Sequence, residues 1–130
     1  MRLLLDTHIW LWSLQDPGRL SRRAVRELAS QRNERWLSPL SIWEALLLAE
    51  RGRLRVAGSR SRWIERMLAV SAPREAVLTR AVVMESDDVQ LSHRDPVDRF
   101  LVATARSYGL TLVTADRRLV SAAACPVLPG

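Results

Sequence analysis

Four acidic residues of this sequence stand where a carboxylate can take part in chemistry. They are Asp6, Glu44, Asp98 and Asp116. If the fold brings all four into one crevice, they repel one another strongly unless cations neutralise them. A ligand set made only of oxygen suits Mg²⁺ or Mn²⁺, and such ions activate water and stabilise in-line attack on phosphate. The acids therefore indicate metal-dependent chemistry on a phosphate group.

Each carboxylate also has a structural interpretation that the sequence leaves open. Asp6 and Asp116 can cap the helices that follow them, and Glu44 can close a capping box that begins at Ser41. Asp98 can interact favourably with the dipole at a helix N-terminus. On this alternative the chain is a non-catalytic α/β module that binds a protein partner, and its acids serve only as helix caps.

The first and last of these acids follow predicted strands. Leu3-Leu4-Leu5 is an apolar run typical of a strand buried on both faces of a parallel sheet, and Asp6 comes directly after it. Leu110 to Thr114 is predicted to be another strand, which Asp116 follows. In open α/β sheets the functional crevice lies beyond the carboxyl ends of the strands. Both aspartates are therefore expected at that edge of the sheet.

Glu44 is expected inside a helix and not at its start. Leu40 to Glu50 is the most apolar helical segment of the chain. Ser38-Pro39 offers this helix a better beginning than Ser41, because proline fits the first helical position. A carboxylate placed well inside an apolar helix needs a partner, a raised pKa or a metal.

The dipeptide Asp95-Pro96 opens a helix that is predicted to run to Tyr108, with Gly109 just beyond its end. Asp95 is then the N-cap, whose carboxylate turns back toward backbone N–H groups. Asp98 instead heads an inward stripe at helical spacing. The other members of the stripe are Leu101, Val102 and Ala105.

The remaining segments alternate between strand and helix. Helices are predicted at 7–14, at 21–30, from Ser59 or Ser61 onward, at 79–85 and from 116, and strands at 35–38, 75–78 and 126–128. This alternation predicts a single domain over residues 1–130. Its fold class is α/β, a sandwich with a mainly parallel central sheet of about five strands flanked by helices.

The composition excludes several kinds of active site. All 20 basic residues are arginine, and the lack of lysine excludes Walker-type phosphate loops and Schiff-base chemistry. It also disfavours receiver domains and haloacid dehalogenase-type phosphatases, which normally use a lysine. With Cys125 as the single cysteine, no intrachain disulfide or cysteine metal cluster can form. His8 and His93 are expected to be a packing residue and a loop residue.

Charge and hydropathy limit the setting in which the protein works. The formal net charge of +6 supports nonspecific attraction to polyanions, and arginine can grip phosphate bidentately. The N-terminus lacks the pattern of a signal peptide, and no run approaches the ~20 apolar residues of a membrane span. We therefore expect a cytoplasmic protein with no membrane partner.

The four acids lie in motifs that resemble those of PIN-domain ribonucleases, and most closely the VapC-type toxins of prokaryotic toxin–antitoxin pairs. The segment LLLDTH at 3–8 is similar to the family's opening motif, and SPLSIWE at 38–44 to its second acidic motif. The most specific match is HRDPVDRFLVATA at 93–105, and LVTAD at 112–116 resembles the fourth motif. The resemblance covers nearly the whole chain.

This resemblance implies a PIN-like three-layer sandwich and a Mg²⁺-dependent endoribonuclease that is inhibited by a small cognate antitoxin and forms a homodimer. By the same resemblance, the four acids bind the metal and position or activate the attacking water. Supporting roles fall to Thr7, Asp95 and Thr114. The RNA substrate is expected to be single-stranded or a loop, whose phosphates can bend into a crevice.

Overall fold

The computed structural model describes residues 1–130 and contains a five-stranded sheet in which all neighbouring strands are parallel. The strands are β1 (Arg2–Leu5), β2 (Glu34–Leu37), β3 (Arg74–Glu75), β4 (Thr111–Thr114) and β5 (Val127–Pro129). Their order is β3-β2-β1-β4-β5. The chain thus moves outward from β1 in one direction and later in the other, which creates a switch point between β1 and β4. In open parallel sheets, such a point opens a crevice at the carboxyl ends of the strands.

Seven α-helices cover the two faces of this sheet. They are α1 (Thr7–Gln15), α2 (Arg22–Ala29), α3 (Pro39–Glu50), α4 (Arg60–Ser71), α5 (Arg80–Ser86), α6 (Pro96–Tyr108) and α7 (Arg117–Ala122), and a short 3₁₀ turn occupies Pro17–Arg19. None of the helices combines the length and the apolar character that crossing a membrane requires.

The strand β1 separates two apolar cores, because its successive side chains point to opposite faces of the sheet. Leu3 and Leu5 pack with residues of α1 to α4, whereas Leu4 packs with residues of α5, α6 and α7. All three leucines are buried. The molecule is therefore a three-layer α/β/α sandwich, as the sequence predicts.

Local capping chemistry sets the beginnings of α3 and α6. The Ser38 hydroxyl accepts a hydrogen bond from the N–H of Leu40, and Pro39 is the first helical residue of α3. The capping box from Ser41 to Glu44 is therefore absent, and Glu44 lies inside the helix. At α6, Asp95 is the N-cap, its Oδ1 lying 2.9 Å from the N–H of Val97.

The third strand is shorter than predicted. The apolar run suggests a strand over 75–78, but β3 contains only Arg74 and Glu75. These residues pair with Trp36 and Leu37, the last two residues of β2, so no further partner is available in the sheet. Val77 and Leu78 consequently leave the sheet and are exposed.

Candidate active site

A cleft of about 390 Å³ opens at the switch point between β1 and β4. All four acids singled out from the sequence contribute to its walls, together with the helix-capping Asp95. The complete lining is Asp6, His8, Trp12, Glu44, Asp95, Asp98, Ala115, Asp116 and Arg118. The fold therefore brings the predicted carboxylates together, although 110 residues of chain separate the first from the last.

Asp6 is held at the floor of the cleft by two short hydrogen bonds. Its Oδ1 accepts from the N–H of Thr7 at 2.7 Å, which makes Asp6 the N-cap of α1. Its Oδ2 accepts from the hydroxyl of Thr114 at 2.6 Å. Burial raises the pKa of Asp6, and the hydrogen bond from Thr114 offsets part of that rise. The carboxylate is thus fixed in position, and its burial disfavours the charged form.

Glu44 projects into the cleft from the middle of α3 and is half-buried. Burial is the main reason that its pKa is raised, and the neighbouring charge on Asp6 adds to the rise. The nearby Thr7 hydroxyl acts in the opposite direction. That hydroxyl is itself buried, and no atom meets it with hydrogen-bond geometry. The protein therefore gives Glu44 no well-aligned hydrogen bond, although a carboxylate inside an apolar helix needs one.

Asp98 has the smallest exposed fraction of the four acids, at 7% of the residue. Its Oδ2 lies 2.7 Å from Nε2 of His93. Burial raises the pKa of Asp98 to about 6, while the hydrogen bond with His93 lowers it and the charges of Asp95, Asp6 and Asp116 raise it further. Four acidic groups consequently influence one another across this cleft.

Asp116 differs from the other three acids because an arginine side chain already pairs with it. Arg118 forms a two-pronged ion pair with it, with Nε 3.2 Å from Oδ1 and Nη2 2.9 Å from Oδ2. Oδ1 also accepts from the N–H of Arg118, so that Asp116 caps α7. These hydrogen bonds lower the pKa of Asp116.

The donor chemistry of the cleft fits a divalent cation. The carboxylates supply only oxygen, which Mg²⁺ and Mn²⁺ prefer. The raised pKa values of Asp6, Glu44 and Asp98 mean that their negative charges are poorly compensated by the protein alone. Two of the carboxylates already lie close together, since ligand atoms of Asp98, Asp116 and the neighbouring His93 are all within 4.8 Å of one another.

Both histidines lie closer to the acids than the sequence analysis expected. His93 does lie in a loop, but it hydrogen-bonds Asp98. His8 is exposed, lines the cleft and contacts Trp12, with ring centroids 5.6 Å apart. Arg118 is a further neighbour that the sequence interpretation missed. The usable signal was proximity along the chain, because His93 and Arg118 stand within five residues of an acid.

Comparison with known proteins identifies the family. A family model described as the PIN domain matches residues 3–124. The chain belongs to the PIN-domain family. This match agrees with the resemblance seen in the four acidic motifs, and it excludes the receiver and phosphatase alternatives.

One relative is similar over most of this PIN domain. Ribonuclease VapC22 of Mycobacterium tuberculosis is 32% identical over 120 residues, which cover 92% of this chain and 90% of that protein. The similarity groups the chain with the VapC-type PIN domains, as the sequence motifs predict.

Solved structures share the fold of this PIN domain. VapBC2 from Rickettsia felis, bound to a promoter DNA fragment, has a TM-score of 0.72 at 12% identity and covers 100% of this chain and 99% of that chain. FitAcB from Neisseria gonorrhoeae has a TM-score of 0.70 at 21% identity, with coverages of 97% and 96%. A toxin–antitoxin complex from Klebsiella pneumoniae has a TM-score of 0.62 at 19% identity, with coverages of 97% and 95%.

Proposed function

We propose that this PIN domain is a metal-dependent endoribonuclease that acts as the toxin of a type II toxin–antitoxin system. The observation that carries the proposal is the convergence of four carboxylates on one cleft, three of them with raised pKa values. Similarity to Ribonuclease VapC22 supports RNA as the substrate. With a cation bound, the repulsion among these acids would be relieved and the cleft would gain affinity for phosphate.

The residues proposed to hold the cation are Asp6, Glu44, Asp98 and Asp116, with Mg²⁺ as the natural ion and Mn²⁺ as a substitute. When bound, such a cation activates water for attack on the phosphodiester and stabilises the charge that develops on the phosphate. Imidazole is a poor ligand for Mg²⁺. We therefore assign His93 the task of orienting Asp98 through their 2.7 Å contact.

The protein's own hydrogen bonds prepare this site before any ligand arrives. Thr114 and the N–H of Thr7 hold one oxygen each of Asp6, while Asp95 anchors the start of the helix that carries Asp98. The buried hydroxyl of Thr7 lies near Glu44 and lowers the pKa of that carboxyl. Thr7, Asp95 and Thr114 are thus positioning residues in this proposal.

The alternative, a non-catalytic module with acids that serve only as caps, has one observation in its favour. Asp6, Asp95 and Asp116 do cap helices. Glu44 and Asp98 lie within helices, however, and their raised pKa values make them unfavourable when charged. A purely structural role leaves the burial of these two acids unexplained, so the enzyme is the better proposal.

The test is RNA cleavage by purified, antitoxin-free protein. Cutting is expected with Mg²⁺ or Mn²⁺ and should stop when EDTA is added. Asp6→Asn should abolish cutting without unfolding the chain, because the change removes charge but almost no volume. Glu50→Gln, on the exposed end of α3, is the control and should cut normally. Cleavage that persists in chelator, or an Asp6→Asn protein as active as the parent, contradicts the mechanism.

The proposed protein partner is a small cognate antitoxin. Its support is that the structures with this fold include toxin–antitoxin complexes. A mostly apolar depression of about 280 Å³ lies beside α2, where Leu20, Val25 and Leu28 contribute to its lining, and it offers a groove for an apolar antitoxin segment. Co-expression with the neighbouring small protein should suppress toxicity, and Val25→Glu should weaken that protection. Unchanged toxicity on co-expression counts against the antitoxin.

We further propose a homodimer that works in the cytoplasm, where RNA and a newly made antitoxin are both present. The dimer follows the family resemblance. Light scattering at micromolar concentrations should give twice the mass of one chain. A monomer throughout that range counts against the dimer and leaves the nuclease proposal intact.

A further inference from the structure

Two basic depressions adjoin the acidic cleft at different edges. The first, of about 610 Å³, shares His8 and Trp12 with the cleft and is lined by Arg19, Arg53 and Arg55. Its one acid is Asp16. The second, of about 520 Å³, shares only Arg118 with the cleft and is lined by Arg117 and by the polar side chains of Gln90, Ser92 and Ser121. The two depressions have no residue in common.

No carboxylate of the protein neutralises the four arginines that only these depressions contain. Arg19, Arg53, Arg55 and Arg117 are exposed, and none of them forms an ion pair with a carboxylate. Because unpaired guanidinium groups grip phosphate oxygens in a fork geometry, the cleft is flanked on two sides by groups suited to a polyanion.

An aromatic platform joins the first depression to the cleft. The guanidinium of Arg19 lies over the ring of Trp12, 4.2 Å from its centroid, and Trp12 in turn contacts His8. The stack holds Arg19 in place without neutralising its charge. The exposed His8 ring offers a face on which an unpaired base can stack.

From this arrangement we infer that one strand of RNA crosses the molecule from the first depression, through the acidic cleft, to the second. This path rests on the proposed function. Phosphates on one side of the scissile bond contact Arg19, Arg53 and Arg55, and those on the other side contact Arg117. The arginines overcome the repulsion between the acids and the RNA backbone, so that a cation held by the acids would need to neutralise only the phosphate at the scissile bond. Single strands fit because their bases can stack on His8.

The test measures RNA binding in a variant that does not cut. Asp6→Asn protein is titrated in Mg²⁺ into a short fluorescein-labelled single-stranded RNA over a series of salt concentrations. Adding Arg53→Gln and Arg55→Gln should lower the slope of log affinity against log salt by about 1.4, since each phosphate contact contributes roughly 0.7. Arg117→Gln should lower it by about 0.7. The matched control is Arg22→Gln with Arg23→Gln, two exposed arginines of α2 without carboxylate partners.

A kinetic measurement uses the active chain. The same Arg53→Gln, Arg55→Gln pair should raise KM and leave kcat nearly unchanged, because these side chains act on binding and lie outside the acidic cleft. If the pair binds and cuts RNA like the Arg22, Arg23 control, the path is wrong. If RNA binding is unchanged but the antitoxin no longer inhibits the pair, the first depression belongs to an acidic protein segment and the path is overturned.

Failure of the proposed function gives a different result. In that case the unaltered chain cuts no RNA with either cation. A dependence of RNA binding on Arg53, Arg55 and Arg117 then still supports the strand path, as the site of an RNA-binding protein that is not a nuclease.

Discussion

The hydroxyl of Thr114 donates a 2.6 Å hydrogen bond to Oδ2 of Asp6, across 108 residues of sequence. The bond connects the ends of β4 and β1, the two strands on either side of the switch point. The same hydroxyl accepts from the N–H of Asp116 at 3.1 Å. One buried threonine therefore links the first acid of the cleft to the last.

Replacing this hydroxyl with a methyl group tests that link. Thr114→Val keeps the shape of the side chain but leaves Asp6 without one donor and Asp116 without an acceptor. We expect a loss of about 1–3 kcal/mol in the free energy of unfolding, because buried polar groups become unsatisfied, and a marked loss of cleavage. Chemical denaturation and an RNA cleavage assay provide the measurements. Thr111→Val, in the same strand and without a side-chain hydrogen bond of its own, is the control and should change little.

The raised pKa of Asp98 makes stability depend on pH in metal-free buffer. With a folded pKa of about 6 against an ordinary value of 3.8, the native state keeps this proton while the unfolded chain releases it. The free energy of unfolding therefore falls as the pH rises from about 4 to 6. The destabilisation caused by ionised Asp98 is fully present above pH 6. It amounts to at most about 3 kcal/mol, and less where water enters the cleft.

Asp98→Asn removes that destabilisation because an amide does not ionise. In EDTA the variant should melt at a higher temperature than the parent at pH 7 and at nearly the same temperature at pH 4. Asp95→Asn is the comparison, since asparagine is also a good helix cap, and it should keep substantial cleavage activity while Asp98→Asn loses most of it. An inactive Asp95→Asn beside a normally active Asp98→Asn means that the two roles must be exchanged.

The ion pair between Arg118 and Asp116 predicts competition between arginine and cation. Both carboxylate oxygens of Asp116 are engaged by Arg118, so a cation must share or displace that contact. Arg118→Gln should therefore bind Mg²⁺ more tightly in calorimetry, by a small factor because exposed ion pairs are weak. The neighbouring Arg117→Gln, which has no ion pair to lose, should leave Mg²⁺ affinity nearly unchanged. Equal affinities in the two variants contradict the competition.

We expect His93 to support cleavage by orienting Asp98 and not by contacting the RNA. Truncation in His93→Ala leaves Asp98 without its 2.7 Å partner, and groups that orient a metal ligand typically account for about 10–100-fold in affinity or activity. We expect lower kcat and weaker Mg²⁺ binding with little change in KM. Asp88→Asn, at an exposed position in the same connection between α5 and α6, is the control. An unchanged kcat in His93→Ala excludes the orienting role.

Much of the fold was predictable because the signals are local. Ser38-Pro39 and Asp95-Pro96 mark helix starts through capping and a fixed φ. Gly109 ends α6 at φ +67°, a conformation that suits glycine. The apolar run at β1 is also a local signal, because a continuous run of this kind is typical of a strand buried on both faces of a parallel sheet. From parallel strands alone it followed that Asp6 and Asp116 share an edge of the sheet, and this prediction is confirmed.

The partners of the acids depend on tertiary structure, because they are decided by distances between elements that are far apart in sequence. The sequence marks Thr114 as a candidate support, but only the pairing of β1 with β4 brings its hydroxyl to Asp6. His93 becomes a partner of Asp98 when its loop folds back onto α6. The early end of β3 likewise reflects where β2 stops. Local sequence signals determined the helices and strands and identified the acids. Packing between distant elements decided which side chains contact those acids, and hence the direction in which each pKa is shifted.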